Sequence, residues 1–240
     1  MKKTKAYNKM GSVLSTIAEV RKQTASAVVF VSFGKDSLCL LDLLYPHFER
    51  LVCAFMFFVP GLEHINRYLR YCKARYPKAE WVQVPHWNLS YIRRTGMYCE
   101  PEPDVKLKKL ADVIEEVREA TGIQWVFLGM KKADGLNRRL MMMQYESSHY
   151  TNNEIAYPLA EWTNKEVMAY MRTAKLPAPV IYGKGASNGI GFNLDCFLWL
   201  RENCPQDLEK IYKAFPLSKR ILFEFERKKK KNDGELPASQ

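Results

Sequence analysis

The sequence predicts an α/β fold, a doubly wound parallel sheet with a helical C-terminal extension. Short strand candidates alternate with segments of helical periodicity, and the strand candidates are apolar at nearly every position rather than at alternate ones. Hydrophobic residues make up 47% of the 240 residues and charged residues 26%, which is ordinary globular composition. A chain of this length can bury a sizeable core, so the sheet is expected to be covered on both faces.

The strand candidates are short runs bounded by turn residues. The first, at 27–33, is followed by Gly34, and the second, at 51–59, ends before Pro60 and Gly61. The remaining candidates lie at 80–84, 124–129 and 154–159. A parallel sheet of about five strands is therefore predicted.

The helix candidates carry apolar residues three and four positions apart. Asp104 is the predicted N-cap of one of them and Gly122 lies just past its end, while Thr163 and Glu166 form a capping-box pattern that opens another. The predicted helices span 9–23, 36–44, 62–76, 104–121, a segment beginning at Thr163, 205–215 and 217–227. Between the helix that begins at Thr163 and the one at 205–215, residues 177–193 are rich in Pro and Gly and are interpreted as a loop.

We expect a single domain over residues 1–226 and a basic, disordered tail over 227–240. The tail opens with five bases at 227–231, which are either a solvated run or a contact to nucleic-acid phosphates that would depend strongly on salt. Lys and Arg number 37 against 26 Asp and Glu, a net charge of +11. This charge favours polyanionic partners, so an adenine nucleotide and nucleic acid are expected as partners and a membrane is not.

Several classes of protein are excluded by the sequence. The apolar run at 51–59 is far shorter than the ~20 residues of a membrane-spanning helix. The basic, polar N-terminus has no apolar segment behind it, so no secretory signal is expected. The six cysteines form no CxxC pair and the four histidines show no zinc-ligand spacing. We expect a cytoplasmic protein with reduced thiols and no protein-bound metal centre.

The segment VSFGKDS at 31–37 carries the most chemical information. It lies where an apolar strand ends and a helix begins, and a helix N-terminus at that edge of a parallel sheet is a ready anion site. Gly34 allows close approach of the backbone, Ser32 and Ser37 supply hydroxyl groups, and Lys35 adds a positive charge. The segment therefore predicts a cradle for phosphate or pyrophosphate, the alternative being an ordinary strand-to-helix turn.

Two common nucleotide-binding motifs do not match. The GxxxxGK[ST] loop requires glycine where Val29 stands and a hydroxyl residue where Asp36 stands. Gly183, Gly185 and Gly189 are one residue too far apart for GxGxxG, and no strand candidate precedes them.

The motif instead resembles the PP-loop, S-[GF]-G-K-D-S, of the adenine-nucleotide α-hydrolase-like superfamily, whose fold is Rossmann-like. Its SFGKDS form at 32–37 and the YPLAEWT segment at 157–163 are similar to the phosphoadenosine phosphosulfate (PAPS) reductase family. Further similarities are LGMK at 128–131 with Arg138 and Arg139, Leu176-Pro177, Tyr182 and Gly185. The resemblance covers residues from about 27 to 191.

The resemblance implies a set of site residues. The phosphate-binding set is Ser32, Phe33, Gly34, Lys35, Asp36, Ser37, Lys131, Arg138, Arg139 and Lys184, of which Lys35, Asp36 and Ser37 are the candidate catalytic residues. The implied ligands are ATP or PAPS with Mg²⁺, and Asp36 is the candidate helper for the ion. Arg138, Arg139, Lys131 and Lys184 are alternatively solvated charges. His86, His149, Trp162 and the runs at 55–58 and 141–143 are interpreted as structural residues.

The chain departs from the family at three places. The C-terminal Glu-Cys-Gly-His segment of PAPS reductases is missing, since the last cysteine is Cys204. A Gly-Cys-x-x-Cys pair after the glycine loop is also missing, because residues 192–195 precede Cys196, and no iron–sulfur cluster is expected. Lys131 stands where the family often has arginine, which removes the bidentate geometry that arginine offers to phosphate.

Three functions remain open from the sequence. The preferred one is binding of ATP and cleavage between its α- and β-phosphates, with adenylylation of an acceptor and release of pyrophosphate. This reaction would belong to a sulfur-transfer or nucleic-acid-modification pathway. A partner protein would supply or receive the acceptor. The second is a sulfonucleotide reductase, which needs a thiolate. The third is a nucleotide-sensing, DNA-binding regulator without turnover.

Overall fold

A computed structural model describes residues 2–145, 149–182, 185–186 and 191–232 of the chain. Within them, five parallel strands form one sheet in the order β3-β2-β1-β4-β5. The strands are β1 (Ser26–Phe30), β2 (Arg50–Phe57), β3 (Glu80–Pro85), β4 (Val126–Phe127) and β5 (Ile155–Ala156). The predicted doubly wound parallel sheet is confirmed, although β4 and β5 are much shorter than the apolar runs that contain them.

Helices cover both faces of the sheet. They are α1 (Lys2–Gln23), α2 (Lys35–Leu44), α3 (Glu63–Arg75), α4 (Asn88–Thr95), α5 (Leu110–Thr121), α6 (Leu136–Met143), α7 (Asn164–Thr173), α8 (Leu194–Asn203), α9 (Pro205–Ala214) and α10 (Arg220–Asn232). A short antiparallel pair, β6 (Ile181–Tyr182) and β7 (Gly185–Ala186), lies in the segment interpreted as a loop. Among the described helices, none has the length and apolar character needed to cross a bilayer.

The core lies in two layers, because successive residues of a strand point to opposite faces. On β1, Val29 faces the larger layer together with α1, α2, α3 and the C-terminal helices, whereas Val28 and Phe30 face the smaller layer with α5 and α6. β1 pairs with β2 on one side and with β4 on the other. The order in which strands are added to the sheet therefore reverses between β1 and β4. Ligands of such sheets bind beside the carboxyl ends of the strands at that point.

Local capping explains where several helices begin. The Thr163 hydroxyl accepts the N–H of Glu166, whose carboxylate accepts the N–H of Thr163 at 2.7 Å, so the predicted capping box at α7 is confirmed. The helix predicted from Asp104 instead begins at Leu110, because the Asp112 carboxylate accepts the N–H of Lys109 at 2.6 Å. Residues 101–109 run irregularly before it.

The C-terminal end differs from the expected tail. α10 continues through the basic run as far as Asn232, so residues 227–232 are helical rather than part of a disordered segment. Residues 233–240 lie outside the described part of the chain. The apolar residues of 220–225 and the strong helix formers that follow account for the longer helix, since Lys, Arg and Glu all favour helix.

Candidate functional site

The 32–37 segment joins the end of β1 to the start of α2. The Ser37 hydroxyl donates to the Gly34 carbonyl at 3.0 Å and accepts the N–H of Ser32 at 3.2 Å. Phe33 has a φ of +59°, an uncommon conformation for a residue with a side chain, and its ring is buried against Phe55 at a centroid distance of 5.0 Å. The Phe33 side chain therefore anchors the loop, while Ser37 closes it.

The N-terminus of α2 is arranged to bind an anion. No side chain among the described residues caps this helix. Backbone N–H groups of the first turn are therefore available, and the helix dipole adds partial positive charge there. The side chains of Ser32, Lys35, Asp36 and Ser37 line an adjoining cavity of about 650 Å³. Phosphate oxygens that enter this cavity meet donors from both the backbone and the side chains.

Gly129, two residues after the end of β4, lies against the same helix turn. A Cβ atom at Gly129 would lie 3.3 Å from the carbonyl carbon of Asp36 and 3.3 Å from the amide nitrogen of Ser37. These distances are tighter than ordinary van der Waals contact, and the neighbouring atoms are backbone, which cannot rotate away. Glycine at this position therefore allows the close packing that fixes the first turn of α2 beside the cavity.

Four charged groups of alternating sign form a network at the phosphate loop, two of them in the loop and two after β4. Asp36 lies between two lysines, with Oδ2 at 2.8 Å from Nζ of Lys35 and Oδ1 at 2.6 Å from Nζ of Lys131. Lys131 is fully buried and its Nζ is also 2.8 Å from Oδ1 of Asp134. The contact between Lys131 and Asp36 is close but not aligned as a hydrogen bond, so it acts through charge. A buried ammonium persists because carboxylates surround it.

The predicted phosphate-binding residues outside the 32–37 segment differ in their position relative to the cavity. Arg138 and Arg139 on α6 are both exposed, but only Arg138 lines the cavity. Lys131 lies behind the wall, paired with carboxylates. Lys184 is outside the described residues. Sequence spacing could not separate these groups, because the separation depends on which side of a helix or loop faces the sheet edge.

The opposite end of the cavity is aromatic and apolar. The run at 55–58 was interpreted as core, but its side chains are half-buried and line the cavity together with Leu62 and Ile65. At 141–143, also interpreted as core, Met142 is buried but Met143 is largely exposed. A cavity that is charged at one end and aromatic at the other suits a nucleotide, which has phosphates at one end and a flat base at the other.

His86 is a cavity residue that the sequence interpretation missed. It follows β3, lines the cavity and stacks on Phe58 with ring centroids 4.3 Å apart. Burial lowers the pKa of His86 to about 4, so the ring is neutral near pH 7. Its Nδ1 accepts the N–H of Asn88 at 3.1 Å, which leaves the proton on Nε2. Its position directly after a strand candidate was the available signal, since parallel strands bring their carboxyl ends to one edge.

The cysteines offer no nucleophile to the cavity. All six lie in the described residues, and none of them lines it. Burial raises the pKa of Cys39 and Cys53 far above the usual range, raises that of Cys72 to about 12 and that of Cys196 to about 11. A thiol with a raised pKa is mostly protonated at neutral pH and is a weak nucleophile.

His64, Cys204 and Asp207 lie close together but are explained by helix capping. The ligand atoms of these three residues fall within 4.8 Å of one another. The Asp207 carboxylate accepts the backbone N–H groups of Glu63 and His64, both at 2.8 Å, and lies 2.7 Å from Nδ1 of His64. Asp207 therefore caps the start of α3 and ties α9 to it.

The match to a protein-family model decides which family the chain belongs to. The model of the phosphoadenosine phosphosulfate reductase domain matches residues 26–213, well over half of the chain. The chain belongs to this family. The similarity that the sequence motifs indicated is thereby confirmed, and the chain is a nucleotide-binding protein of the PP-loop type in a family of enzymes.

Solved structures of low similarity also match, and the search of curated proteins finds no match. One is a PAPS reductase from Candida auris in a phosphate complex, with 14% identity, a TM-score of 0.44, and coverage of 63% of this chain and 74% of that one. Another is an NH3-dependent NAD synthetase from Campylobacter jejuni subsp. jejuni NCTC 11168 in complex with a nitrate ion, with 15% identity, a TM-score of 0.47, and coverage of 97% and 99%.

Proposed function

We propose that this PAPS reductase family protein binds ATP and cleaves it between the α- and β-phosphates. The observation that carries the proposal is the cavity at the N-terminus of α2, with hydroxyl groups, Lys35 and free N–H donors at one end and no thiol in its wall. Sulfonucleotide reduction requires a thiolate at the sulfonate sulfur. The residues present favour phosphate chemistry over reduction.

In the proposed reaction a nucleophilic oxygen of the acceptor forms a bond to the α-phosphorus. The bond between that phosphorus and the α–β bridging oxygen breaks, and pyrophosphate leaves with the electron pair. The acceptor becomes adenylylated, and any proton it carried passes to water. The residues of the phosphate loop hold and stabilise the departing pyrophosphate, which is positioning and electrostatic catalysis.

Each residue of the loop has a distinct part in this proposal. The N–H groups of the first α2 turn and the Ser32 and Ser37 hydroxyls bind pyrophosphate oxygens. Lys35 leaves its contact with Asp36 and pairs with a phosphate instead, since phosphate carries more charge than one carboxylate. Arg138 reaches the remaining phosphate from α6. Lys131 acts through Asp36, whose position it fixes.

Mg²⁺ fits the donor set of the site. The ion is usually held by one or two carboxylates together with substrate phosphates, and Asp36 and Asp134 both line the cavity. When bound there, Mg²⁺ would neutralise part of the charge on the pyrophosphate. The Asp36 carboxylate becomes available to the ion once Lys35 leaves it for a phosphate, while Lys131 keeps its contact with Asp36 from behind the wall.

A binding comparison tests the proposal. Thermal unfolding of the wild type is followed with Mg-ATP, a non-hydrolysable α,β-methylene analogue of ATP, ADP, AMP and PAPS. A ligand at about 100 times its dissociation constant adds about 2.7 kcal/mol, which raises the melting temperature of a domain of this size by about 5 °C or more. Mg-ATP and its analogue are expected to stabilise the wild type but not Lys35→Met, while Lys132→Met is the matched control.

Product analysis then identifies the bond that breaks. With acceptor present, phosphorus NMR is expected to show AMP-containing product and pyrophosphate. Formation of ADP and inorganic phosphate would contradict cleavage at the α-phosphorus. Stabilisation by PAPS without stabilisation by Mg-ATP would overturn the proposal in favour of a sulfonucleotide enzyme.

A further inference from the structure

A stripe of aromatic and basic side chains runs along α4 at the rim of the cavity. Trp87 precedes the helix with helical dihedral angles, Tyr91 follows one turn later and Arg94 one turn after that, so all three share one face. Trp87 is 36% exposed and Tyr91 45% exposed, and Arg94 is also exposed. Large aromatic side chains on a solvent-facing stripe indicate a binding surface.

A series of adjacent rings connects this stripe to the interior of the cavity. Phe58 and His86 line the cavity and stack with centroids 4.3 Å apart. The His86 ring in turn lies 5.3 Å from the Trp87 ring, with an angle of 32° between their planes. Phe58, His86 and Trp87 thus form a continuous series of flat rings from the cavity wall to the surface. A flat group bound on Trp87 lies at the entrance to the nucleotide site.

Positive charge accompanies the aromatic stripe. No carboxylate among the described residues pairs with Arg94, Lys106 or Lys109. The segment that holds these lysines lies along α4, because the N–H of Lys108 donates to the Ser90 hydroxyl at 2.8 Å. Acidic residues also occur in that segment, at Glu100, Glu102 and Asp104, and Glu102 is paired with Arg93, so Arg94, Lys106 and Lys109 supply the charge that attracts a polyanion.

We propose that the stripe formed by Trp87, Tyr91 and Arg94 binds a single-stranded nucleic acid, and that this strand is the acceptor of the proposed reaction. Unpaired bases stack on exposed aromatic rings, and basic side chains follow the phosphate backbone, which is the common arrangement of single-strand binding surfaces. A strand on α4 presents its next nucleotide to His86 at the cavity entrance. A duplex hides the faces of its bases and cannot use the two rings in this way.

The role as acceptor rests on the proposed function, but the binding itself does not. Binding is measured by fluorescence anisotropy without ATP. The probes are labelled oligothymidylate and oligouridylate of about 20 nucleotides and a duplex of equal length. This length exceeds the number of nucleotides that a single-strand-binding domain usually covers. The DNA and RNA arms identify which sugar is preferred. Failure to bind oligonucleotides with Mg-ATP stabilisation intact overturns only this inference. Oligonucleotide binding without Mg-ATP stabilisation overturns the proposed function and the acceptor role with it, but not the single-strand binding.

The variants separate stacking from charge. The double variant Trp87→Ala/Tyr91→Ala is expected to weaken single-strand binding about tenfold or more, since each stacked base contributes substantially. Trp87→Phe/Tyr91→Phe keeps two stacking rings and is expected to retain most of the affinity. Arg94→Gln is expected to reduce the slope of log affinity against log salt by somewhat under one unit. Leu14→Ala, an equally exposed apolar residue on α1, is the matched control and leaves binding unchanged.

Several results would overturn the inference. One is that the variant Trp87→Ala/Tyr91→Ala binds single strands with the same affinity as the wild type. Another is a duplex affinity equal to the single-strand affinity in both the wild type and the double variant. A third is a complex with a purified protein partner that needs Trp87 and Tyr91 while no oligonucleotide binds, because the stripe would then be a protein interface. Unchanged melting temperatures of all variants confirm that folding is intact.

Discussion

Nζ of the fully buried Lys131 lies 2.6 Å from Oδ1 of Asp36, a residue of the phosphate loop. Lys131 follows β4 and Asp36 lies in the first turn of α2, so the pair joins the two strands between which the sheet order reverses. The same ammonium contacts Asp134 at 2.8 Å. The buried ammonium of Lys131 therefore fixes the position of the Asp36 carboxylate in the phosphate loop.

Replacing Lys131 by methionine is expected to lower the free energy of unfolding by about 2–4 kcal/mol, because two carboxylates lose their buried counter-charge. Urea unfolding measures the change. The control is Lys132→Met, since Lys132 pairs with Glu161 at a partly exposed position and such pairs contribute under about 1 kcal/mol. Equal losses in the two variants would contradict the role of the buried cluster.

Gly129→Ala is expected to weaken nucleotide binding by about tenfold or more, since the added Cβ displaces the backbone that holds the phosphate donors. Isothermal titration with Mg-ATP gives the affinity. The matched control is Gly11→Ala on α1, where no atom lies within 4 Å of the added Cβ. That change is expected to stabilise the helix by about 0.5–1 kcal/mol without an effect on binding. Unchanged ATP affinity in Gly129→Ala would show that α2 tolerates the displacement.

His86 makes stability fall as the pH drops. Burial lowers its pKa to about 4 in the folded protein, whereas an unfolded histidine titrates near 6.5. Between these values the unfolded chain binds a proton that the folded chain does not, so stability is complete above about pH 6.5 and is lost towards pH 4. After allowance for partial exposure the loss is no more than about 2 kcal/mol.

The measurement is urea unfolding of wild type and His86→Phe at pH 7.5 and 5.0. The variant retains a ring beside Phe58 but cannot titrate, so its stability is expected to change less over this range. Burial also lowers the pKa of His64, and that contribution cancels in the difference between the two proteins. Identical pH dependence in both would refute the assignment to His86.

Phe192 joins the C-terminal helices to the cavity wall. Its ring stacks on Tyr98 at 4.5 Å and contacts Phe215 at 5.0 Å and Phe58 at 5.7 Å. Phe192→Ala is expected to lower the free energy of unfolding by about 2–4 kcal/mol, because these contacts are lost and a cavity remains. The control Phe223→Ala, at a largely exposed ring on α10, is expected to change it by less than about 0.5 kcal/mol. Chemical denaturation of both variants provides the test, and a similar small effect in each would contradict this role.

Periodicity and motif spacing predicted much of the fold and the core of the site. The parallel sheet followed from strands that are apolar throughout, and the phosphate loop from residues 32–37, because local sequence alone specifies a strand, a turn and a helix start. The helix start at Leu110 was missed because Asp104 is a better N-cap residue by type than Lys109, and the actual start depends on contacts of the 101–109 segment with α4. The amphipathic α4 was also missed because its eight residues offer too few helical repeats to recognise, and α8 was missed because its apolar residues are not confined to one face.

The sequence by itself determined the fold class, the family and the position of the phosphate loop, because these depend on residues that are adjacent along the chain. Only the tertiary structure decided that Lys131 is paired beneath the loop, that Arg138 but not Arg139 reaches the cavity, and that His86 and Trp87 connect the cavity to the surface. Those relationships involve segments that follow different strands. Their physical cause is the parallel sheet, which brings the carboxyl ends of distant segments to one edge.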